Sequence, residues 1–409
     1  MSDREQKMPT VVVWGAGNNC KTVVAAIHKD KCSLKGIADS RIELHGKKYM
    51  DRWMINAPGQ LIDKDTDYVV VSPYYSGPIL EQCKAMRIDR DRVIDYWKSD
   101  TEYDFIDANV KKICELEREI GKLKIRIHNM PYELGLKPGP MIRPAEELLE
   151  VLIKEKKSLS RYGDGELEIM QKRERPWFQN TDERLAKRLQ EVFCCEDERI
   201  MIALSDNFGN LDSYTEVAAD AIRLYLADGI REKLMRSIDS NRVYYDAYVT
   251  RPYMMYRDKQ YAERIFSLFK RLWKNREILL VEGRYAYSGI RNDLFAGAAD
   301  VRRIIAPAKN AFSVYDEILE IAERYADKNT LALLSLGPTA TVLAYDLAMR
   351  GIQAVDIGQL DNEYEWYLRG VDERTEIPGK CVAESLAYQV PDEIADSSYE
   401  RQVVARVGV

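Results

Sequence analysis

Short apolar runs that end in polar, glycine-bearing loops, each leading into a long amphipathic stretch, recur along most of this 409-residue chain. The runs are VVVW at 11–14, SLKGIAD at 33–39, YVVVS at 68–72, RIMIALSD at 199–206, REILLVEG at 276–283, VRRIIAPA at 301–308, NTLALLSLG at 329–337 and GIQAVDIG at 351–358. Each is short and apolar in the manner of a buried strand. AEELLEVLIKEK, LAKRLQEVF, YAERIFSLFKRLWKN, SVYDEILEIAERYAD and TATVLAYDLAMR instead space apolar residues by three and four, as helices do. The alternation predicts an α/β protein whose functional loops lie at the carboxyl ends of parallel strands.

One long interruption divides the pattern. Residues 104–127 carry Ile106, Val110, Ile113, Leu116, Ile120, Leu123 and Ile127 at helical spacing. MPYELGLKPGPMIRP, with four prolines and two glycines, follows as an irregular boundary. The expected division is a small Rossmann-like module at 8–100, a helical linker at 101–140, a larger α/β domain at 141–375 and a C-terminal extension at 376–409. The linker helix suits either docking on a domain or packing between subunits, so a homo-oligomer through it and the N-terminal module is one expected partnership.

Composition narrows the function classes. The 61 Lys and Arg against 67 Asp and Glu, a net charge of -6, disfavour nucleic acid as the main partner. No apolar stretch reaches membrane-span length and the start MSDREQKMPT is polar, so a cytoplasmic protein is expected. The seven cysteines form no CxxC pair, which suits a reducing compartment. The three histidines, His28, His45 and His128, all precede the larger domain. Chemistry there must use carboxylates, hydroxyls, amines or a metal held by oxygen.

The most distinctive motif is SRYGDGELEIM at 160–170. In an extended backbone Asp164 and Glu166 would point to one side, where two carboxylates invite a divalent cation. Gly163 and Gly165 would allow a tight turn, and Arg161 could pair with a diphosphate. A solvated acidic turn explains the same residues equally well. In SLGPTAT, Gly337, a capping Thr339 and Thr341 offer either a phosphate cradle or an ordinary helix start. Asp361 and Glu363, among the aromatics of DNEYEW, are candidate proton acceptors for a hydroxyl nucleophile or surface-helix acids. Arg251 begins RPYMMYRDK, and Lys309 and Asn310 follow the strand-like run VRRIIAPA; the two cations suit a leaving phosphate or a surface ion pair. In the N-terminal module, Gly15, Ala16 and Gly17 followed by Asp39 only partly match a dinucleotide fingerprint, because Cys20 replaces its third glycine.

Together, RYGDGELEIM, WFQNTDERLAKRLQEVF, SDNFGNLDSYTE, TRPYMMYRDK, ILLVEG, NDLFAGAADVRRIIAPAKNAFSVYDEIL, LLSLGPTATVLAYDLAMRGIQAVDIG and DNEYEW resemble a bacterial glycosyltransferase family. Its catalytic domain is the GT-D fold, formerly a domain of unknown function. The resemblance implies transfer of a sugar from a nucleotide-sugar, typically a UDP-sugar, to an acceptor hydroxyl in glycan, glycoprotein or surface-polysaccharide synthesis. It implies Mn²⁺ or Mg²⁺ held by the D-x-E pair, here Asp164 and Glu166. It also implies that Asn292, Asp293, Lys309, Asn310 and the loop from Gly337 to Thr341 lie near the nucleotide-sugar cleft. Tyr287, Arg291 and Gln359 stand where the family usually has arginine, glycine and histidine. The N-terminal part resembles small Rossmann-like modules attached to sugar-modifying enzymes. A nucleotide-sugar hydrolase, an NAD-dependent oxidoreductase and a noncatalytic assembly protein are the competing expectations.

Overall fold

A computed structural model describes residues 8–172, 179–382 and 396–409, in two compact units that divide between Lys124 and Ile125. Trp177 and Phe178 of the WFQN stretch, and 383–395 of the expected extension, lie outside the described residues.

The first unit is built on β1 (Thr10–Trp14), β2 (Ser33–Ala38), β3 (Lys48–Tyr49), β4 (Trp53–Asn56), β5 (Tyr68–Val71) and β6 (Val93–Asp95). They form one sheet in the order β3-β4-β2-β1-β5-β6, parallel except for the β3–β4 pair. Val11 and Val13 enter one apolar cluster while Val12 and Trp14 enter another, as strand alternation requires when both faces are covered. At the end of β1, Gly15 has φ 112° and lies against Ser72 and Pro73 too closely for a Cβ. The Ala16 amide donates to Asp39 Oδ2 at 2.7 Å, and Arg41 Nε to Asp39 Oδ1 at 3.0 Å. Burial opposes the charged form of Asp39, but these bonds outweigh it and hold its carboxyl below the usual range. Asp39, the acid of the partial dinucleotide fingerprint, therefore spends its carboxylate on closing the turn.

The second unit contains β7 (Met141–Arg143), β8 (Ser158–Tyr162), β9 (Ile200–Leu204), β10 (Val243–Asp246), β11 (Glu277–Gly283), β12 (Asp300–Ala306), β13 (Leu331–Ser335), β14 (Gln353–Asp356) and β15 (Val403–Arg406). The sheet order is β15-β12-β11-β13-β14-β8-β9-β10-β7, and every neighbouring pair is parallel. Along β9, Ile200, Ile202 and Leu204 enter one cluster while Met201 and Ala203 enter the other. Burial on both faces explains why these strands read as unbroken apolar runs. The expected C-terminal extension contributes the edge strand β15, so its end belongs to the sheet.

β8 and β14 are neighbours, yet the chain leaves β8 toward β9 on one side and later supplies β15 at the opposite edge. Only Leu159 and Val355 pair across this reversal. Side chains add to this pairing: the Ala354 amide donates to Ser158 Oγ at 2.9 Å across the reversal, and Ser160 Oγ donates at 2.6 Å to the carbonyl of Thr341 in the helix that follows β13.

Beyond β14, helix Leu360–Arg369 is buried from Leu360 through Trp366. Its acids are held by Lys380, whose Nζ lies 2.7 Å from Asp361 Oδ2 and 2.9 Å from Glu365 Oε1. Asn292 Nδ2 donates to the same two residues at 2.8 Å each. Removing the cation would leave two carboxylates buried beside one another. Lys380→Met is expected to cost about 3–5 kcal/mol in urea unfolding, with Asp361→Asn in the same background recovering part of the loss.

Candidate active site

The GDGE motif begins a helix, which corrects the extended geometry expected of it. β8 ends at Tyr162, Gly163 is the N-cap, and Asp164–Met170 is helical. Glu166 Oε2 accepts the Gly163 amide at 2.8 Å, so this carboxylate reaches back to satisfy a helix-end donor. Residues two apart on a helix lie about 200° apart around its axis. The two acids consequently diverge. Asp164 is exposed, while Glu166 is half-buried, its pKa raised by burial and then by the Asp356 charge, against the opposing effect of Arg161.

Arg161 spans the β8–β14 seam. Its Nη2 donates to Asp356 Oδ1 at 2.7 Å and its Nε to the Asp356 carbonyl at 2.9 Å. Gly358, at φ 48°, lies so near the guanidinium that a Cβ there would collide with it. Arg161 thus holds the floor beneath the motif, and its bonds to Asp356 occupy the group proposed for a diphosphate.

Acids also emerge from the next two strands. Asp206, after β9, is open to solvent yet closely surrounded by protein, and this burial pushes its pKa up to about 6. Below it, Asp246 at the end of β10 is pushed up to about 7, by burial first and by the Asp206 charge second. Asp246 accepts the Tyr248 amide and the Tyr256 hydroxyl, each at 2.8 Å. Asn207 Nδ2 donates to the Tyr248 hydroxyl at 3.3 Å. The charges of Arg251 and Asp164 both act on that phenol, whose pKa is pushed up to about 12 chiefly by burial. The loops after β8, β9 and β10 therefore meet around Tyr248.

The remaining predicted residues take up different duties. Thr339 does not cap its helix: Gly337 is the N-cap, at φ 55°, and Pro338 is the first helical residue. Both threonines are fully buried. Thr339 Oγ1 lies 3.4 Å from Gln179 Oε1, and Thr341 Oγ1 donates to the Arg161 carbonyl at 3.0 Å. Neither threonine side chain lines an open phosphate cradle. Asp361 Oδ1 accepts Asn292 Nδ2 and the Gly289 amide at 2.8 Å, while its other oxygen faces Lys380. Glu363 Oε2 accepts the amides of Tyr253 and Met254 at 2.9 and 2.8 Å, anchoring the loop that carries Arg251. Asp293 sits with Lys270 and Tyr364, whose hydrogen bonds hold its carboxyl below the usual range. Lys309 is exposed after β12, and Asn310 Oδ1 accepts the Asn180 amide at 2.7 Å. Of the family departures, Arg291 occupies φ 66°, a conformation in which the family's usual glycine is unstrained, Tyr287 packs on Tyr399, and Gln359 is the N-cap of helix Leu360–Arg369.

Sequence reasoning did not single out Asp206, Asp246, Tyr248, Asp356 or Lys380. The first lay in a strand-end cluster already visible as SDNFGNLD. The others become meaningful only when their neighbours are known.

Among the described residues, no group of three or more His, Cys, Asp or Glu side chains forms a ready-made metal cage. Mg²⁺ and Mn²⁺ are hard cations that take carboxylate oxygens, and Mg²⁺ commonly binds through one or two carboxylates completed by substrate phosphates and water. Asp164, exposed at the first helical position, fits that use with one carboxylate, whereas Glu166 lies on another side of the helix with its Oε2 engaged by the Gly163 amide.

Residues 159–385 match the family model described as "Glycosyltransferase GT-D fold", and residues 7–94 match "C2185-like, N-terminal". The chain is 36% identical over 263 residues to a probable glycosyl transferase Gly of Streptococcus gordonii, covering 64% of this chain and 38% of that protein. It is 34% identical over 267 residues to glycosyltransferase GlyD of Streptococcus pneumoniae serotype 4 (strain ATCC BAA-334 / TIGR4), covering 65% of this chain and 32% of the relative. It therefore spans well under half the length of either curated relative. A solved structure described as "The highly conserved domain of unknown function 1792 has a distinct glycosyltransferase fold" aligns at TM-score 0.64 and 34% identity, covering 70% of this chain and 100% of that one. Another, described as a new glycosyltransferase (DUF1792) from Streptococcus sanguinis, aligns at TM-score 0.61 and 33% identity, covering 66% and 100% respectively. The matched sequence and the parallel sheet coincide over the same region, and the chain belongs to the GT-D glycosyltransferase fold family.

Proposed function

We propose that the second unit transfers a sugar from a nucleotide-sugar, a UDP-sugar by family resemblance, to an acceptor hydroxyl in cytoplasmic glycan, glycoprotein or surface-polysaccharide synthesis. The observation that carries this reading is the meeting of three strand-end loops, bearing Asp164, Asp206 and Tyr248, at the carboxyl edge of a parallel sheet. Ligands of open α/β sheets bind at that edge, near reversals of strand order.

Asp164, joined by Glu166 where that carboxylate turns from the Gly163 amide, would hold a Mg²⁺ or Mn²⁺, which when bound neutralises charge on the nucleoside diphosphate. Arg251, whose charge acts on Tyr248, adds positive charge beside the cleft, while Lys309 is exposed after β12, four strands from β8 in the sheet order. Tyr248, kept neutral, can donate or accept a hydrogen bond within the cleft. Asp206 is the proposed base. It takes the proton as the acceptor oxygen bonds to the anomeric carbon, while the bond from that carbon to the diphosphate oxygen breaks and the diphosphate keeps the electron pair. Direct displacement of this kind inverts the anomeric centre. Asp361 and Glu363 serve better as supports for the Asn292 and Arg251 loops, because protein donors already engage their carboxylates.

Donor binding is measured with a panel of UDP-sugars, with and without Mn²⁺. The expected result is Mn²⁺-dependent retention of one donor, weakened at least about tenfold by Asp164→Ala, a loss of about 1.4 kcal/mol. Retention unaffected by both Mn²⁺ and this change would overturn the assigned site. Glu166→Gln separates two duties of that residue, since an amide oxygen preserves the helix cap but ligates a cation more weakly. Loss of Mn²⁺-dependent binding by a folded E166Q chain would identify ligation, whereas retained binding would leave Glu166 as the cap alone.

For Asp206, kcat/KM for sugar transfer should fall as pH drops through about 6, because protonation removes the base. Asp206→Asn should lower kcat by about 10²–10⁴-fold and abolish that acidic limb. Release of free sugar in place of transfer, across a panel of acceptors, would instead identify a hydrolase.

A further inference from the structure

Helix Ala108–Glu133 presents an apolar seam to solvent. Ile113, Ile120 and Ile127 are 54%, 50% and 63% exposed, and Leu116, Leu123 and Met130 are 50%, 54% and 49% exposed. Their spacing alternates three and four residues without interruption, a strict heptad in which the isoleucines occupy the a positions and the leucines and methionine the d positions. Ile106, Val110 and Cys114 instead pack against the core of the first unit. The exposed seam is a separate face of the same helix. Gly121, which weakens an isolated helix, falls at an outer b position where it does not interrupt the seam.

We infer that this seam pairs with the same seam of a second copy of this chain, as a parallel, in-register, two-stranded coiled coil. Isoleucine at a with leucine at d is the combination that favours parallel dimers. The flanking charges agree. In parallel register each g position faces the e position of the following heptad in the other helix, which sets Lys112 opposite the second copy's Glu117 and Glu119 opposite its Lys124. All four of these side chains lie in exposed residues. Three heptads are few for an isolated peptide, but this helix is already ordered within the folded chain, so association has less conformational entropy to overcome.

Sedimentation of the full chain at about 10 μM, a concentration that populates the dimer if Kd is about 1 μM, should give twice the 47.3 kDa chain mass. Ile120→Glu and Leu123→Glu should each shift it to one chain mass while leaving the thermal unfolding transition in place, because both positions are exposed. Orientation is read by Ile113→Cys in a chain carrying Cys114→Ser and Cys194→Ser. Mild oxidation should join two copies through residue 113, since facing a positions bring Cβ atoms within disulfide reach, while Lys122→Cys on the outer side should remain unlinked. In an antiparallel pair Ile113 would face Met130, and the two copies of residue 113 would lie about 25 Å apart. A native chain that sediments as a monomer, an assembly unaffected by both seam substitutions, or a dimer that fails to link at residue 113 would each overturn the inference.

Discussion

The seam between β8 and β14 is the constraint on which the second unit's site depends. Strand order reverses there, and backbone pairing is reduced to one register position. Arg161 and Asp356 compensate with an ion pair across the gap, supported by Thr341, Ser160 and Ser158. A nearly buried ion pair is costly to desolvate, and here additional hydrogen bonds from Gly358 and to the Asp356 carbonyl satisfy the remaining groups. The requirement for glycine at 358 follows directly, since the guanidinium occupies the space of a side chain.

This framework separates acids engaged by several protein donors from acids that stand exposed. Asp361 and Glu363 are surrounded by donors and stabilise the walls. Asp164 stands exposed at the start of its helix, and Asp206 is open to solvent within a crowded environment. Asp246 beneath Asp206 is buried and engaged by the Tyr248 amide and the Tyr256 hydroxyl. Chemically identical side chains thus acquire different duties through the number and placement of their hydrogen-bond donors.

Most of the central elements were legible because a parallel sheet covered on both faces needs long apolar runs: β1, β2, β5, β9, β11, β12, β13 and β14 all carry that signature. β7, β10 and β15 did not stand out, because exposed and half-buried positions break up their apolar character. The D-x-E motif was legible as chemistry but not as conformation. Its alternating acids suit a strand, yet Glu166 gains more by capping a helix whose Gly163 amide would otherwise lack a partner. Similarly, Thr339 and Thr341 look like phosphate ligands beside glycine and proline, but tertiary packing turns both hydroxyls inward.

The sequence by itself determined the alternating architecture, the family resemblance and the heptad of the connecting helix, because each is a property of spacing along one chain. Only the tertiary structure decided which carboxylates are buried among protein donors and which are exposed. That distinction depends on partners far away in sequence, such as Asn292 and Lys380 at Asp361 or Tyr253 and Met254 at Glu363, and on the desolvation created when separate strand-end loops meet.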